Sequence, residues 1–455
     1  MNSCYYSTII LLKYFIFASN KNLIMNNELI NIFWFRRDLR FDDNSALYHA
    51  LKSEQKLLCI FIFDSQIIDI LTDRSDTRLN FIYQEIKNLK KILENAKSNL
   101  IVLKGKPTDI FKQLIEKYKV ANVFANRDYE PYAVKRDFEI KKFLNSQNIE
   151  FHLFKDHVIF EADEIRKNDN SPYTVFGFYK KAWLNKFYQS KILTYNSENY
   201  FHKFLNINPS TLPDLNYFGF NQSSISYPSR EINLNVIKNY DETRNFPQFP
   251  TSGLGLHLRF GTLSIRKIIK ISQQYNESWM NELIWREFFI QILSAFPYVE
   301  KSAFKPIYNN IEWLNNQSDF ERWCKGNTGY AMVDAGMREL NSTGFMHNRV
   351  RMLTASFLCK HLLIDWRWGE AYFASKLLDF ELSSNNGNWQ WAAGCGCDAA
   401  PYFRIFNPDL QTNKFDPQLI YIRKWVKEFD ELNYVKMIDH KFARERCLAV
   451  YKRIF

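Results

Sequence analysis

Residues 385–408 read NNGNWQWAAGCGCDAAPYFRIFNP. The amide of Asn385 both donates and accepts, which suits a flat heterocycle whose protonation changes with redox state. Trp389 and Trp391 suit stacking, the Asn386-Gly387 pair signals a turn, and Gly394 and Gly396 let backbone approach a neighbour closely. The thiols of Cys395 and Cys397 raise the question of a metal. Zinc takes four ligands in paired spacings, and no second Cys or His pair stands near this one, so no metal site is expected. The seven cysteines (4, 59, 324, 359, 395, 397 and 447) are odd in number and scattered. They imply no disulfide framework and a reducing compartment.

Other segments carry complementary chemistry. Asp379 and Glu381 offer carboxylates suited to a ribityl or ribose hydroxyl. TSGLGLHLRFGTLS, at 251–264, offers hydroxyls and backbone N–H groups ahead of a helix, the composition of a pyrophosphate cradle. In WMNELIWREFF, Trp279, Glu282, Arg286 and Phe289 fall at i, i+3, i+7 and i+10 and share one helix face. That mixture is unlike an apolar core stripe and suits a pocket wall. MHNRVRM adds Asn348 and Arg349, both suited to a phosphate or a base edge. Arg244, Arg404 and Lys414 can track a polyanionic backbone. Taken singly, the glycine-bearing segments also read as ordinary connections between helices.

These residues need a scaffold, and the chain of 455 residues has room for two or three domains. LINIFWF, KLLCIFIFD, NLIVLKG, KVANVFANR and IEFHLFKD are strand-like runs separated by helical stretches such as SALYHALKS and RLNFIYQEIKNLKKILENA. That alternation predicts a doubly wound parallel sheet. No GxGxxG follows the first strand, so a dinucleotide site of the Rossmann kind is not supported there. Residues 159–235 turn rich in Asn, Ser, Pro and Tyr and read as a long connector. Residues 236–455 read as all-α. Residues 1–25 form an apolar leader interrupted by Lys13, with Met25 as the expected working start and the α/β domain spanning 26–158. Lys+Arg 60 against Asp+Glu 49 gives +11, which favours a polyanionic partner, although a solvated basic surface would look the same. Aromatic residues reach 17% with 11 Trp, more than a core requires, so part of the set is expected to stack on a ligand.

WFRRDLRFDDN, YDETRNFP with TSGLGLHLRFGTLS, WMNELIWREFF, NSTGFMHNRVRM, LIDWRWGEAYF and the 385–408 stretch follow one another in the order of the DNA photolyase/cryptochrome family. From about residue 31 to 425 the chain resembles that family, most specifically the class I cyclobutane pyrimidine dimer (deoxyribodipyrimidine) photolyases. The resemblance implies light-dependent repair of dimers in UV-damaged DNA, by electron transfer from photoexcited reduced FAD to a flipped-out dimer. Carried over by position, flavin contacts would fall on Tyr240, Thr251, Ser252, Gly253, Leu254, Gly255, Arg286, Asp379, Phe380, Glu381 and Asn385. DNA and lesion would meet Arg244, Glu282, Trp285, Asn348, Arg349, Met352, Trp391, Arg404 and Gln411. Trp285 and Trp391 would stack the dimer, Glu282 would bond its carbonyl edge, and Trp389, Trp366 and Trp313 would relay electrons from the surface. Phe380 and Glu381 depart from the Gly and Asp frequent in the family. Asn385 favours repair over the Asp of plant cryptochromes.

For an antenna, folate-binding relatives carry an Asn-Glu pair where this chain has Tyr132-Ala133, and Glu130 with its following Pro-Tyr is closer to deazaflavin-type members. Methenyltetrahydrofolate, a deazaflavin, a second flavin and an empty cleft all stay open. A cryptochrome-type blue-light receptor, a (6-4) photolyase and a light-independent nucleic-acid-binding module are the rival readings. A cytoplasmic monomer without membrane attachment is expected.

Overall fold

The computed structural model describes residues 28–455; the expected leader and its Met25 lie outside them. Five parallel strands, β1 (Ile30–Phe35), β2 (Lys56–Asp64), β3 (Leu100–Gly105), β4 (Val120–Asn126) and β5 (Glu150–Phe154), form one sheet in the order β3-β2-β1-β4-β5. The central strand β1 is buried along its whole length, as a strand covered on both faces must be. Helices α1 (Ser45–Lys52), α2 (Thr77–Asn95), α3 (Pro107–Lys117) and α4 (Pro131–Ser146) connect the strands. This is the doubly wound α/β domain that the alternating pattern predicts. The chain leaves β1 for β2 on one side and later returns to β4 on the other, so the ends of β1 and β4 form the switch point of the sheet.

The 159–235 stretch is less featureless than its composition suggests. It carries helix α5 (Phe176–Gln189), whose Tyr179, Trp183 and Phe187 recur every four residues and are buried. Three hydrogen bonds to one carboxylate, the first donated by the Ile159 amide, tie this stretch to the helical half. Glu287 accepts from the Trp183 indole at 2.7 Å and from the Phe160 amide at 3.3 Å.

Beyond it the labelled elements are helical: α6 (Ile265–Tyr275), α7 (Glu277–Ala295), α8 (Gln317–Lys325), α9 (Ala331–Thr343), α10 (Asn348–Ser356), α11 (Trp366–Lys376), α12 (Leu382–Ala393), α13 (Pro408–Phe415) and α14 (His440–Lys452). Among the described residues no helix is long and apolar enough to cross a membrane.

One local expectation is corrected. Asn386-Gly387 is not a turn but lies inside α12. Asn386 is buried and donates to the Val299 carbonyl at 2.9 Å. A Cβ on Gly387 would fall 2.1 Å from the Phe289 ring, so glycine is there to let α7 and α12 close on each other. The turn ending α12 comes at Gly394, in the left-handed conformation with φ 85°.

The two domains meet along the segment that follows β1. The Leu39 amide donates to the Phe260 carbonyl at 3.0 Å and Arg40 donates to the Gly261 carbonyl at 2.9 Å. Gly261 has φ +61°, and a Cβ there would sit 2.4 Å from the Arg37 carbonyl oxygen. Below this contact, Arg266 of α6 bridges Asp43 and Asp156, and Arg40 pairs with Asp156 at 2.8 Å.

Candidate active site

The 251–255 turn, α7 and the start of α10 enclose a cavity of ≈ 290 Å³. Tyr240, Arg244, Thr251, Ser252, Gly253, Leu254 and Gly255 line one side; Trp279, Glu282 and Arg286 project from α7. A cavity of ≈ 100 Å³ adjoins it through the shared residues Asn348, Arg351 and Asp379. Met352, Phe380, Glu381, Asn385, Trp389 and Trp391 line this second space. Four segments far apart in the sequence therefore converge on one cleft.

The polar groups are held in place by their protein neighbours. The Asn276 side chain caps α7 by accepting from the Trp279 amide at 2.8 Å, which fixes the first turn carrying Trp279 and Glu282. Glu282 pairs with Arg244 at 3.0 Å, and Arg244 lies over the Tyr240 ring at 5.0 Å. Burial raises the Glu282 carboxyl above its ordinary range, while Arg244 and the Tyr240 hydroxyl pull it back. Asp379 accepts from Arg351 at 3.0 Å through one oxygen; its other oxygen is buried without a hydrogen-bond partner. A Cβ on Gly255 would fall 2.9 Å from that carboxylate, so the turn presses its backbone against Asp379. Asn385 donates to the Glu370 carboxylate at 2.7 Å and the Glu370 carbonyl at 3.2 Å. Two acceptors on one side fix the amide nitrogen there and leave the Asn385 carbonyl oxygen for the cavity.

Glu381 has different company from that expected of a ribityl partner. Arg286 grips it with Nε at 3.0 Å and a second nitrogen at 3.1 Å, and Arg37 of the α/β domain bonds the same carboxylate. Burial opposes the charge, yet Arg286 and Arg37 hold the carboxyl down to about 2. Arg286 spends its remaining nitrogen on the His157 carbonyl at 2.7 Å. Glu381 and Arg286 border the cleft while bonding chiefly to each other.

The aromatic residues divide. Trp391 borders the second cavity with Arg404 5.9 Å above its ring. Trp285 faces elsewhere: Phe176 stacks on it at 3.6 Å with planes 6° apart, Phe289 stands at 5.5 Å, and neither cavity has Trp285 in its wall. Trp389 and Trp366 are buried and Trp313 is half-buried. Gly369 of α11 gives Trp389 room, since a Cβ there would fall 2.1 Å from the indole. Among the described residues the rings touching Trp389 are Trp323 at 6.1 Å and Phe373 at 4.9 Å, and Trp313 packs on Tyr451 at 6.2 Å. Trp366 has its own guanidinium neighbour, Arg367, at 4.8 Å.

Arg349 bonds Asn245 and stacks over Phe415 at 4.4 Å, outside both cavities. Gln411 lies on α13, also outside them. Near the switch point, Glu130 is engaged by Arg37 at 3.2 Å and Arg259 at 2.9 Å, and the Tyr132 hydroxyl donates to Asp64 at 2.5 Å.

Three residues escape a reading of the sequence. Arg351 joins both cavities and holds Asp379; its spacing of three from Asn348 on a helix was the available signal. Glu370 orients Asn385 from a different helix, and Trp323 reaches Trp389 from α8. Neither partnership has a local signature.

The cleft fits a flavin adenine dinucleotide. Glycine and hydroxyl residues line the first cavity, and an unpartnered Asp379 oxygen and the Asn385 carbonyl are available to hydroxyl and ring N–H donors. Comparison with known proteins agrees. A family model described as the FAD binding domain of DNA photolyase matches residues 279–448, and one described as DNA photolyase matches residues 31–195. The deoxyribodipyrimidine photo-lyase of Vibrio cholerae is 34% identical over 483 residues, covering 93% of this chain and 99% of its own. A bacterial class III photolyase from Agrobacterium tumefaciens superposes with a TM-score of 0.82 at 28% identity, covering 94% of this chain and 98% of its own. An archaeal photolyase from Sulfolobus tokodaii, solved with two FAD molecules, gives 0.78 at 30% identity over 93% and 100% of the two chains.

Proposed function

This chain belongs to the DNA photolyase family, and from that premise we propose that it repairs cyclobutane pyrimidine dimers in DNA under blue light. The observation that carries the reading is the meeting of Glu282, Asn348, Met352 and Trp391 around the two joined cavities that also hold Asp379 and Asn385. The residues proposed to meet the dimer and those proposed to hold the flavin thus border one joined space.

The cofactor would be held by the 251–255 turn, Tyr240, Asp379, Phe380 and Asn385, with Arg286 and Glu381 at its border. When bound, reduced and excited by light, FAD supplies one electron to the dimer. The protein's residues do the rest. Asp379 accepts from a cofactor hydroxyl or ring N–H with its free oxygen, and Asn385 presents a carbonyl that Glu370 prevents from rotating. The target bases must leave the duplex to reach the cleft, and photolyases are among the enzymes that flip bases in this way. Trp391 offers a ring face for the extruded dimer. Trp285 can offer one only by parting from Phe176, which makes it the less ready of the two. Glu282, whose hold on a proton burial strengthens, would donate to a pyrimidine carbonyl where negative charge gathers when it carries that proton. The proton stays shared between that carbonyl and the carboxylate, and the fixed positive charge of Arg244, 3.0 Å away, offsets the carboxylate's negative charge. Trp389, Trp366 and Trp313 would relay electrons from an external reductant at the surface to an oxidised flavin.

The test uses purified protein carrying its flavin, chemically reduced and mixed with an oligonucleotide holding one thymine dimer. Restored thymine in blue light and none in the dark is the expected result. Bound flavin without light-dependent repair would overturn the reading and direct the next assay to the (6-4) lesion or to signalling.

A further inference from the structure

We infer that Arg37 is a positioning residue for the flavin cleft, acting through Glu381 across the domain interface. The inference rests on the cofactor reading above and adds to it a residue of the α/β domain that itself lines neither cavity.

Arg36 and Arg37 follow β1 side by side and point their charges in opposite directions. Arg36 stays within its own domain, with two bonds to Asp137 at 2.6 and 2.7 Å. Arg37 reaches over the interface to Glu381, which is 6% exposed. Its other terminal nitrogen is tethered at home by Glu130 at 3.2 Å and Asp128 at 3.3 Å. Arg286 holds Glu381 from the helical domain with two nitrogens, so one carboxylate is clamped between two guanidinium groups, and the two terminal nitrogens of Arg37 link it to Glu130 and Asp128 of the α/β domain. The backbone of Arg37 is itself immobilised, because Gly261 packs against its carbonyl where no Cβ would fit.

What the clamp controls follows from where Glu381 sits. It is the cap residue of α12, and its carbonyl accepts from the Asn385 amide at 2.9 Å, one turn on. Two residues earlier is Asp379. Shifting Glu381 therefore shifts both groups that meet the cofactor, and an ångström matters at such a site. Buried ion pairs contribute little net stability against an apolar replacement, but they fix direction and distance. The clamp is accordingly a device of geometry: the α/β domain sets the wall on which the flavin rests.

Apoprotein reconstitution tests this, with FAD binding followed by quenching of its fluorescence and apoprotein unfolding measured alongside. We expect R37M and E381M each to weaken FAD binding at least tenfold, and R37M/E381M to be no weaker than the worse single variant, since both changes break one clamp. R37K keeps the charge, loses the fork and folds most readily; it should weaken binding at least threefold. FAD affinity within twofold of wild type in R37M or R37K, with only the unfolding midpoint lowered, would reduce Arg37 to a structural residue and overturn the proposal. Additive losses in the double variant would overturn the route through Glu381. Wild-type protein that takes up no FAD would instead overturn the cofactor reading itself.

Discussion

At the scale of single residues, the cleft owes its chemistry to side chains whose freedom has been removed by a neighbour. Asn385 is oriented by Glu370, Asp379 by Arg351 and Glu282 by Arg244. Two predictions belong here. Burial raises the Glu282 carboxyl, so its protonated form persists to higher pH than an ordinary glutamate's and is then lost as pH rises further. Repair yield per bound dimer should fall with rising pH in the wild type, whereas E282Q, which donates but does not titrate, should give a flat profile. A pH-dependent E282Q profile would move the titration elsewhere. For Trp389, W389F should abolish light-driven reduction of oxidised flavin and leave repair by chemically reduced protein intact. Absorbance changes under illumination check the first half and dimer splitting the second. Trp323 makes the outcome more informative, because its ring is the indole in contact with Trp389.

At the scale of elements, the strands were plain in the sequence because each is a short, mainly apolar run set between helical patterns; KLLCIFIFD coincides with β2 from end to end. Helix α5 was hidden by its company. Exposed Phe178 and Tyr188 blur a four-residue spacing that Tyr179, Trp183 and Phe187 obey. The site segments were readable by residue type and order, but the direction of Trp285 was not, since it depends on Phe176, more than a hundred residues earlier. Asn386-Gly387 shows the same limit: a local turn preference yielded to the need for α7 and α12 to touch. Adding a methyl there should force them apart. G387A should destabilise the apoprotein by about 1–3 kcal/mol, the usual cost of overpacking, and weaken FAD binding because Asn385 lies two residues away. Denaturant unfolding and reconstitution measure the two effects; an unchanged unfolding midpoint would contradict the packing argument.

At the scale of the whole molecule, a net charge of +11 fits a partner that is a polyanion. DNA affinity should fall steeply with salt, and R404A, which removes a guanidinium resting on Trp391 and Phe406, should weaken binding and reduce the salt slope by about 1. Filter binding across a salt series reads both; an unchanged slope would take Arg404 off the DNA path. The seam between the domains bears on biosynthesis as well as on catalysis. Asp156 has Arg40 as a partner from its own domain, but Asp43 pairs with Arg266, 223 residues further along the chain. From the end of β5 at Phe154, Arg266 is a further 112 residues away (266 − 154), which a ribosome working at ~5–20 residues per second makes in roughly 6–22 s. For that interval the newly made α/β domain exists with its interface carboxylate facing water, so the seam closes late, as the helical half emerges and supplies the missing cation.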